Sequence, residues 1–378
     1  MTKVLHITNW YPNKWDNVEG IFVREQFRAF SEVTSGNLIN IQVREGTGWF
    51  EYRRVVYSDS EIGYYILTKI ATYRVIEILT SLLLFWALIR SNIRQYDVLH
   101  FHIAYPLLTY YRYWKMFVRL PILVSEHWSA YHFNFYLPPE ARKLDRIKKI
   151  FRQQIPVITV SKALLDDIRR FAGTDDFPSA VIPNVIDTRY FYFGNALEQT
   201  SKPRFFIVNV WRPIKKPFAM LEAFAELARD GKDFELIIGG YGDLFEEMQA
   251  FVKEHALEDN IHFLGKLDKA GIKRELSKAD AYLFSSEYET FSVACAQALA
   301  SGCPLIGPPL PAIWEYSDPN ERVAVQRNNV EGWKKALEFF VDNRTMFDHE
   351  AIAQKAQSYF STERIKHKYV DFIGKIVG

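Results

Sequence analysis

Short apolar runs recur along the chain, each followed by a longer stretch of helical patterning. In the first half they are Val4–Thr8, Asp97–His102, Ile122–Ser125 and Val157–Val160. In the second they are Phe205–Val210, Glu235–Gly239, Ile261–Leu264, Ala281–Phe284 and Pro304–Ile306. The runs are continuous rather than alternating and rich in Val, Ile, Leu and Phe. That pattern predicts strands buried on both faces of a parallel sheet. Phe218–Arg229, Leu244–His255 and Thr290–Ala300 read as intervening helices, and the strand–helix–strand order predicts an α/β fold. The series restarts: after Val181-Ile182-Pro183-Asn184 the polar stretch from Gly194 to Pro203 reads as a linker, and a second series opens at Arg204. Two α/β domains of similar size imply a cleft, with ligands outside the carboxyl ends of the strands. The segment Thr362–Val377 is amphipathic through Ile365, Tyr369, Phe372, Ile373 and Ile376. Its period leaves open which domain it covers.

Composition narrows the functional classes. Lys+Arg is 47 and Asp+Glu 45, a net +2 that argues against a nucleic-acid binder. The first 200 residues hold 24 basic and 19 acidic side chains and the remainder 23 and 26, so the basic excess lies in the first half. Aromatic residues make up 16% of the chain, and eleven of them fall between Tyr105 and Tyr136, interleaved with Arg112, Lys115 and Arg119. Core packing, stacking against a ligand and an interfacial patch all fit that segment. The two cysteines, Cys295 and Cys303, read as reduced and buried, which fits a cytoplasmic setting. No apolar leader precedes Val4. The longest apolar run, Ile78 to Ile89, is too short to span a bilayer and reads as a buried helix, with an interfacial membrane helix as the alternative.

The stretch Ser285–Pro304 (SSEYETFSVACAQALASGCP) carries the chemistry. Glu287 and Glu289 follow a strand, and Thr290-Phe291-Ser292 is expected to open a helix. Unpaired backbone N–H groups at a helix start attract an anion such as phosphate, and acidic residues there also serve as simple caps. This stretch resembles the donor-binding signature of the GT-B glycosyltransferases, specifically the retaining family 4 (glycosyl transferases group 1). Glu289 matches the first acid of the family pattern. Gln297 stands where a second acid usually bonds the donor ribose. It keeps an acceptor and two donors.

Other segments fall in family order. Tyr11–Gln26 resembles the glycine loop that approaches the diphosphate, where Gly20 carries over. Ser125-Glu126-His127-Trp128 resembles the segment whose histidine reaches the donor sugar. Gly239-Gly240-Tyr241-Gly242 and Phe263-Leu264-Gly265 resemble later glycine turns. The family's basic diphosphate clamp falls on Arg212 and Lys216, with a solvated charged turn as the bland alternative. His102 ends a strand expected to face the cleft.

The resemblance implies two Rossmann-like domains facing each other across a cleft. Residues 1–195 would bind the acceptor, with or without helix 362–378, and 204–361 the nucleotide sugar. It implies retaining transfer of a hexose-type sugar to a glycan or lipid-linked acceptor in polysaccharide or glycoconjugate assembly. His127 and Glu289 would be catalytic. Gly20, Arg212, Lys216, Thr290, Phe291 and Ser292 would hold the diphosphate, and Gly240, Lys266, Leu267 and Gln297 the nucleoside. No cofactor is implied, the UDP- or GDP-linked sugar being a substrate. The chain has no Asp-x-Asp motif, and transfer is expected to be metal-independent. Peripheral contact with the inner face of the membrane is a further expectation. The alternatives are a nucleotide-sugar 2-epimerase of the same fold and an inactive nucleotide- or glycan-binding module.

Overall fold

The computed structural model describes residues 1–16, 19–194 and 202–378. The chain divides into two compact units, Met1–Val185 with Glu363–Gly378, and Ile186–Thr362. The linker expected from Gly194 to Pro203 lies mostly outside the described residues. The division falls earlier, at Val185/Ile186, for a physical reason. Ile186 and Phe191 are buried, and Asp187 accepts a hydrogen bond from Lys269 Nζ at 2.6 Å, which ties this segment to the second unit.

The first unit is built on β1 (Lys3–Thr8), β2 (Ser35–Glu45), β3 (Glu51–Ser58), β4 (Glu61–Thr68), β5 (Val98–His102), β6 (Ile122–Glu126), β7 (Val157–Thr159) and β8 (Ser179–Val181). They form one sheet in the order β3-β4-β2-β1-β5-β6-β7-β8, and β3 alone runs antiparallel to its neighbour. The central strands are apolar because helices cover both faces. One core cluster joins Val4, Val98, Leu123 and Ile158 to Phe30 and to Ile365, Tyr369, Phe372 and Ile373. The Thr362–Val377 helix therefore packs on the first unit, with Tyr369 stacked on Phe30 at 3.7 Å between ring centroids.

The second unit is a parallel sheet of β9 (Arg204–Val210), β10 (Glu235–Tyr241), β11 (Ile261–Gly265), β12 (Ala281–Leu283), β13 (Leu305–Gly307) and β14 (Arg322–Ala324). Its order is β11-β10-β9-β12-β13-β14. The order reverses beside β9, and the loops after β9, β10 and β12 emerge at the carboxyl edge next to that switch point.

The run Ile78–Ile89 lies in the Tyr73–Arg90 helix, but it is not a buried helix. Leu83, Leu84, Ala87 and Leu88 are buried, whereas Ile78, Leu82, Trp86 and Ile89 are exposed. Among the described residues no helix is long and apolar enough to cross a membrane.

Candidate functional site

The loops after β9, β10 and β12 in the second unit converge. Trp211, fully buried just beyond β9, donates from Nε1 to the Gly239 carbonyl at 2.8 Å. The close approach depends on glycine. Gly240 and Gly242 have φ of +113° and +133°, and a Cβ on them would lie 1.8 Å from the Asn209 oxygen and 2.6 Å from the Trp211 oxygen. The loop after β12 is tied to the turn after β9. Ser285 Oγ donates to the Lys215 carbonyl at 2.6 Å, and the Glu287 amide donates to the Ile214 carbonyl at 2.9 Å.

These ties bring a cation to Glu289. Its Oε1 accepts from Lys215 Nζ at 2.6 Å and from Ser286 Oγ at 2.7 Å. The pair is well enclosed, with Lys215 and Glu289 side chains 17% and 16% exposed. Lys216, carried over from the sequence as the clamp, instead points outward and lies 3.5 Å from Glu287, their side chains 54% and 60% exposed. The backbone explains the exchange. Lys216 has φ +43°, a left-handed turn residue that ends the short helix Pro213–Lys215, and the turn directs consecutive side chains apart. The adjacent lysines were the available signal, and residue type alone could not choose between them. Arg212 caps the same short helix and is exposed.

Thr290-Phe291-Ser292 does not open the helix. It begins at Val293 and runs to Ala300, with Ser292 at φ +63° capping it and its Oγ accepting from the Cys295 amide at 3.4 Å. The Phe291 side chain is buried against Tyr316 and Phe360, so only its backbone faces the loop chemistry, and Tyr316 OH donates to its carbonyl at 2.6 Å. Gln297 sits half-buried one turn into that helix. Lys266 is exposed, with its ammonium 5.1 Å from the Tyr241 ring centroid, and Leu267 packs where a side chain on Gly239 would stand. Cys295 and Cys303 are free and buried, and burial pushes both thiols up.

In the first unit Gly20 caps the Ile21–Ser31 helix at φ +63°, where a Cβ would meet the Trp10 oxygen at 2.3 Å. Four histidines gather at the carboxyl ends of β1, β5 and β6. His6 Nδ1 and His102 Nε2 are 3.1 Å apart. His100 contacts Tyr369 OH at 3.0 Å and Ser125 Oγ at 2.8 Å. His102 is thus buried among rings rather than presented to an open surface. His6, His100 and His102 bring ring nitrogens within 4.8 Å of one another, a grouping that could hold a metal ion. Those contacts already engage both nitrogens of His100 and pair His6 with His102.

His127 is different. Asn184 approaches its ring, yet neither buried ring nitrogen makes a hydrogen bond of good geometry. Burial, with His102 adding to it, holds His127 well below the usual histidine range, so the ring is neutral. Glu126, fully buried, accepts from Tyr131 OH and the Ala104 amide, each at 2.6 Å, and burial raises its pKa to about 7. It anchors the loop that carries His127 rather than offering a carboxylate to a substrate.

Beside the Gly20 turn lies a recess of about 310 Å³, lined by Trp10, Glu19, Gln42, Tyr105, Trp128 and Lys143 among others. Trp10 and Trp128 meet edge to face at 5.3 Å, and Glu19 pairs with Arg44. Apolar ring faces beside fixed polar groups suit a sugar, whose own faces alternate in the same way.

Comparison with known proteins adds to this geometry. Residues 191–359 match the model for glycosyl transferases group 1, and residues 57–190 the model for glycosyltransferase family 4. N-acetyl-alpha-D-glucosaminyl L-malate synthase of Bacillus anthracis is 27% identical over 222 residues, covering 56% of each chain. The chain spans about half the length of the curated relatives it matches. Sucrose-phosphate synthase of Thermosynechococcus elongatus superposes with a TM-score of 0.75 at 17% identity over 99% of both chains. Anabaena HepE, solved in complex with UDP, superposes at 0.71 with 12% identity over 99% of this chain and 100% of that one. At these identities the solved structures establish the fold alone.

Proposed function

We propose that this chain, which belongs to the glycosyl transferases of group 1 and family 4 and has their GT-B fold of two parallel-sheet α/β units, transfers a hexose-type sugar from a nucleotide sugar to a glycan or lipid-linked acceptor. The observation that carries the reading is Glu289, held by Lys215 and Ser286 just ahead of the Val293–Ala300 helix. A departing nucleoside diphosphate gains negative charge as the glycosidic bond breaks. A positioned lysine and free N–H groups at a helix start stabilise that charge without first having to reorganise. Arg212 and Lys216 add exposed cations at the same turn, and Lys216 there serves long-range attraction more than contact.

Glu289 holds the sugar hydroxyls and stabilises positive charge developing at the reacting carbon. Retention follows from attack on the face the diphosphate leaves, with a departing phosphate oxygen taking the proton of the acceptor hydroxyl. Lys215 and the backbone dipoles supply the electrostatics that a divalent ion would otherwise provide, and we assign transfer without a metal. His127 is neutral with two unengaged nitrogens, and we give it a hydrogen bond to the transferred sugar. Gly20 and the backbone of Thr290, Phe291 and Ser292 approach the diphosphate, while Gly240, Lys266, Leu267 and Gln297 meet the nucleoside. UDP is the first nucleotide to test, since the similarly folded HepE was solved with it. The Trp10–Trp128 recess takes the acceptor, and the first unit makes peripheral contact with a membrane.

The test is a panel of UDP- and GDP-sugars with soluble and lipid-linked acceptors, followed by nucleotide release and by the anomeric configuration of the product. Acceptor-dependent release with retention supports the reading. Isomerisation of the donor without an acceptor, or binding without turnover across the panel, overturns it.

A further inference from the structure

The Tyr73–Arg90 helix is apolar on both sides. Ile78, Leu82, Trp86 and Ile89 recur at helical spacing and form an outward row, with Leu82 62% and Ile89 65% exposed. A helix on the surface of a globular unit ordinarily turns polar residues outward. The row does not end with the helix. Phe85 meets Phe117 at 5.9 Å between centroids, and Phe117, on the turn after the short Tyr111–Trp114 helix, is 70% exposed. On the other flank Trp86 meets Tyr52 of β3 at 5.6 Å. Three segments thus form one apolar surface, larger than scattered exposed side chains would explain.

Charge identifies its partner. Residues 69–119 contain seven Lys and Arg but only two acids, Glu77 and Asp97. Glu77 is fully buried and paired with Arg146, so it does not face outward. The Arg90 guanidinium sits 5.3 Å from the Trp86 centroid and that of Arg112 5.2 Å from Tyr113, so cations and aromatic rings alternate on the same surface. Aromatic and aliphatic groups that enter the headgroup boundary, fringed by cations that stay with the phosphates, are what an anionic bilayer binds. The other side of this helix contributes Tyr73, Ile76 and Thr80 to the recess assigned to the acceptor.

We propose that the outward face of the Tyr73–Arg90 helix, with the turn at Met116 and Phe117, docks the protein on an anionic lipid bilayer. One helix then meets lipid on one side and lines the acceptor recess on the other. This deepens the transferase reading, resting on it only for the assignment of that recess, by naming the phase from which a lipid-linked acceptor arrives.

The test uses the full chain with phosphatidylcholine vesicles, with and without phosphatidylglycerol, read by sedimentation. The protein should bind the anionic vesicles, ignore the neutral ones at low protein concentration, and be released at about 1 M salt, where the Debye length is about 3 Å. L82E/I89E and, separately, R112E/K115E should each lower vesicle partition at least about tenfold, with melting temperature and nucleotide release to a soluble acceptor unchanged. The second variant leaves the Tyr73–Arg90 helix untouched, so the test survives if the first fails to fold. Wild-type protein that ignores anionic vesicles, variants that bind as wild type does, or a solution dimer dispersed by L82E/I89E each overturn the inference. Protein that turns over donor without binding vesicles refutes docking alone. Protein that binds vesicles but turns over no donor refutes the transferase reading alone.

Discussion

Replacing Lys215 and Lys216 one at a time separates two side chains that the sequence presents as equivalent. Lys215 makes a 2.6 Å pair with Glu289 in a setting where both are more than four-fifths covered. Lys216 lies 3.5 Å from a Glu287 that is itself mostly in solvent. Exposed pairs of the second kind contribute at most a few tenths of a kcal/mol after screening. Lys216→Ala should therefore change kcat/KM by no more than about twofold. If the enclosed Lys215 stabilises developing diphosphate charge as proposed, Lys215→Ala should cost about 3 kcal/mol, roughly a 150-fold fall in kcat/KM. The assay is steady-state nucleotide release for both single variants, Glu289→Ala and the Lys215→Ala/Glu289→Ala double variant. If Lys215 also orients Glu289, the double variant should lose less than the sum of the singles. A Lys216→Ala enzyme slower than Lys215→Ala, or strictly additive losses, refutes the reasoning.

The glycine turn after β10 gives a second expectation. Gly242→Ala puts a Cβ 2.6 Å from the Trp211 oxygen at φ +133°, and should cost about 2 kcal/mol or more in a urea titration while raising donor KM. A third concerns pH. His6, His100, His102 and His127 all have folded pKa values lowered mainly by burial, that of His102 to about 3. A lowered histidine contributes stability that is present above the unfolded value of 6.5 and is lost as pH falls toward the folded value. Glu126 acts in the opposite direction. Its pKa, raised to about 7 from 4.5, favours the fold at low pH, and that contribution is lost as pH rises to 7. Near pH 5 unfolding should therefore take up more than one proton net, the uptake by the histidines exceeding the proton released by Glu126. The slope of urea stability against pH measures this number. His102→Gln should reduce it by about one, and a wild-type slope of one proton or fewer contradicts the buried neutral cluster.

The second unit was more legible in the sequence than the first. Five of its strands show as short, mainly apolar runs, interrupted internally at most once, by Asn209 in β9 and His262 in β11, whereas β14 escapes because Arg322-Val323-Ala324 holds a single large apolar residue. β2 escapes because Asn37, Asn40 and Gln42 interrupt its apolar run, and the fold gives each an acceptor: Asn37 donates to Tyr96 OH, Asn40 to Tyr65 OH and Gln42 to the Asn9 carbonyl. β3 alternates exposed and half-buried positions at the sheet edge, a pattern an exposed loop shares. At the site, signature spacing located Glu289 on the loop after β12, and glycine itself marked the turns where Gly240, Gly242 and Gly265 adopt positive φ. Which lysine meets Glu289 could not be read, since a one-residue difference in a left-handed turn decides it. The start of the Val293–Ala300 helix moved for a similar reason, with Ser292 adopting a cap conformation that residue type does not require. The apolar run Ile78–Ile89 showed its length but not that one side of its helix lacks a cover.

The return of the Thr362–Val377 helix to the first unit has a consequence for biosynthesis. Ile365, Tyr369, Phe372 and Ile373 belong to the same core as Val4 and Val98, and the ribosome makes them only after the whole of Ile186–Thr362. During translation the first unit waits with that part of its core uncovered, while the second already has all its strands. Order of synthesis and order of completion are therefore reversed, and the unit begun first is the one a chaperone would need to shield longest.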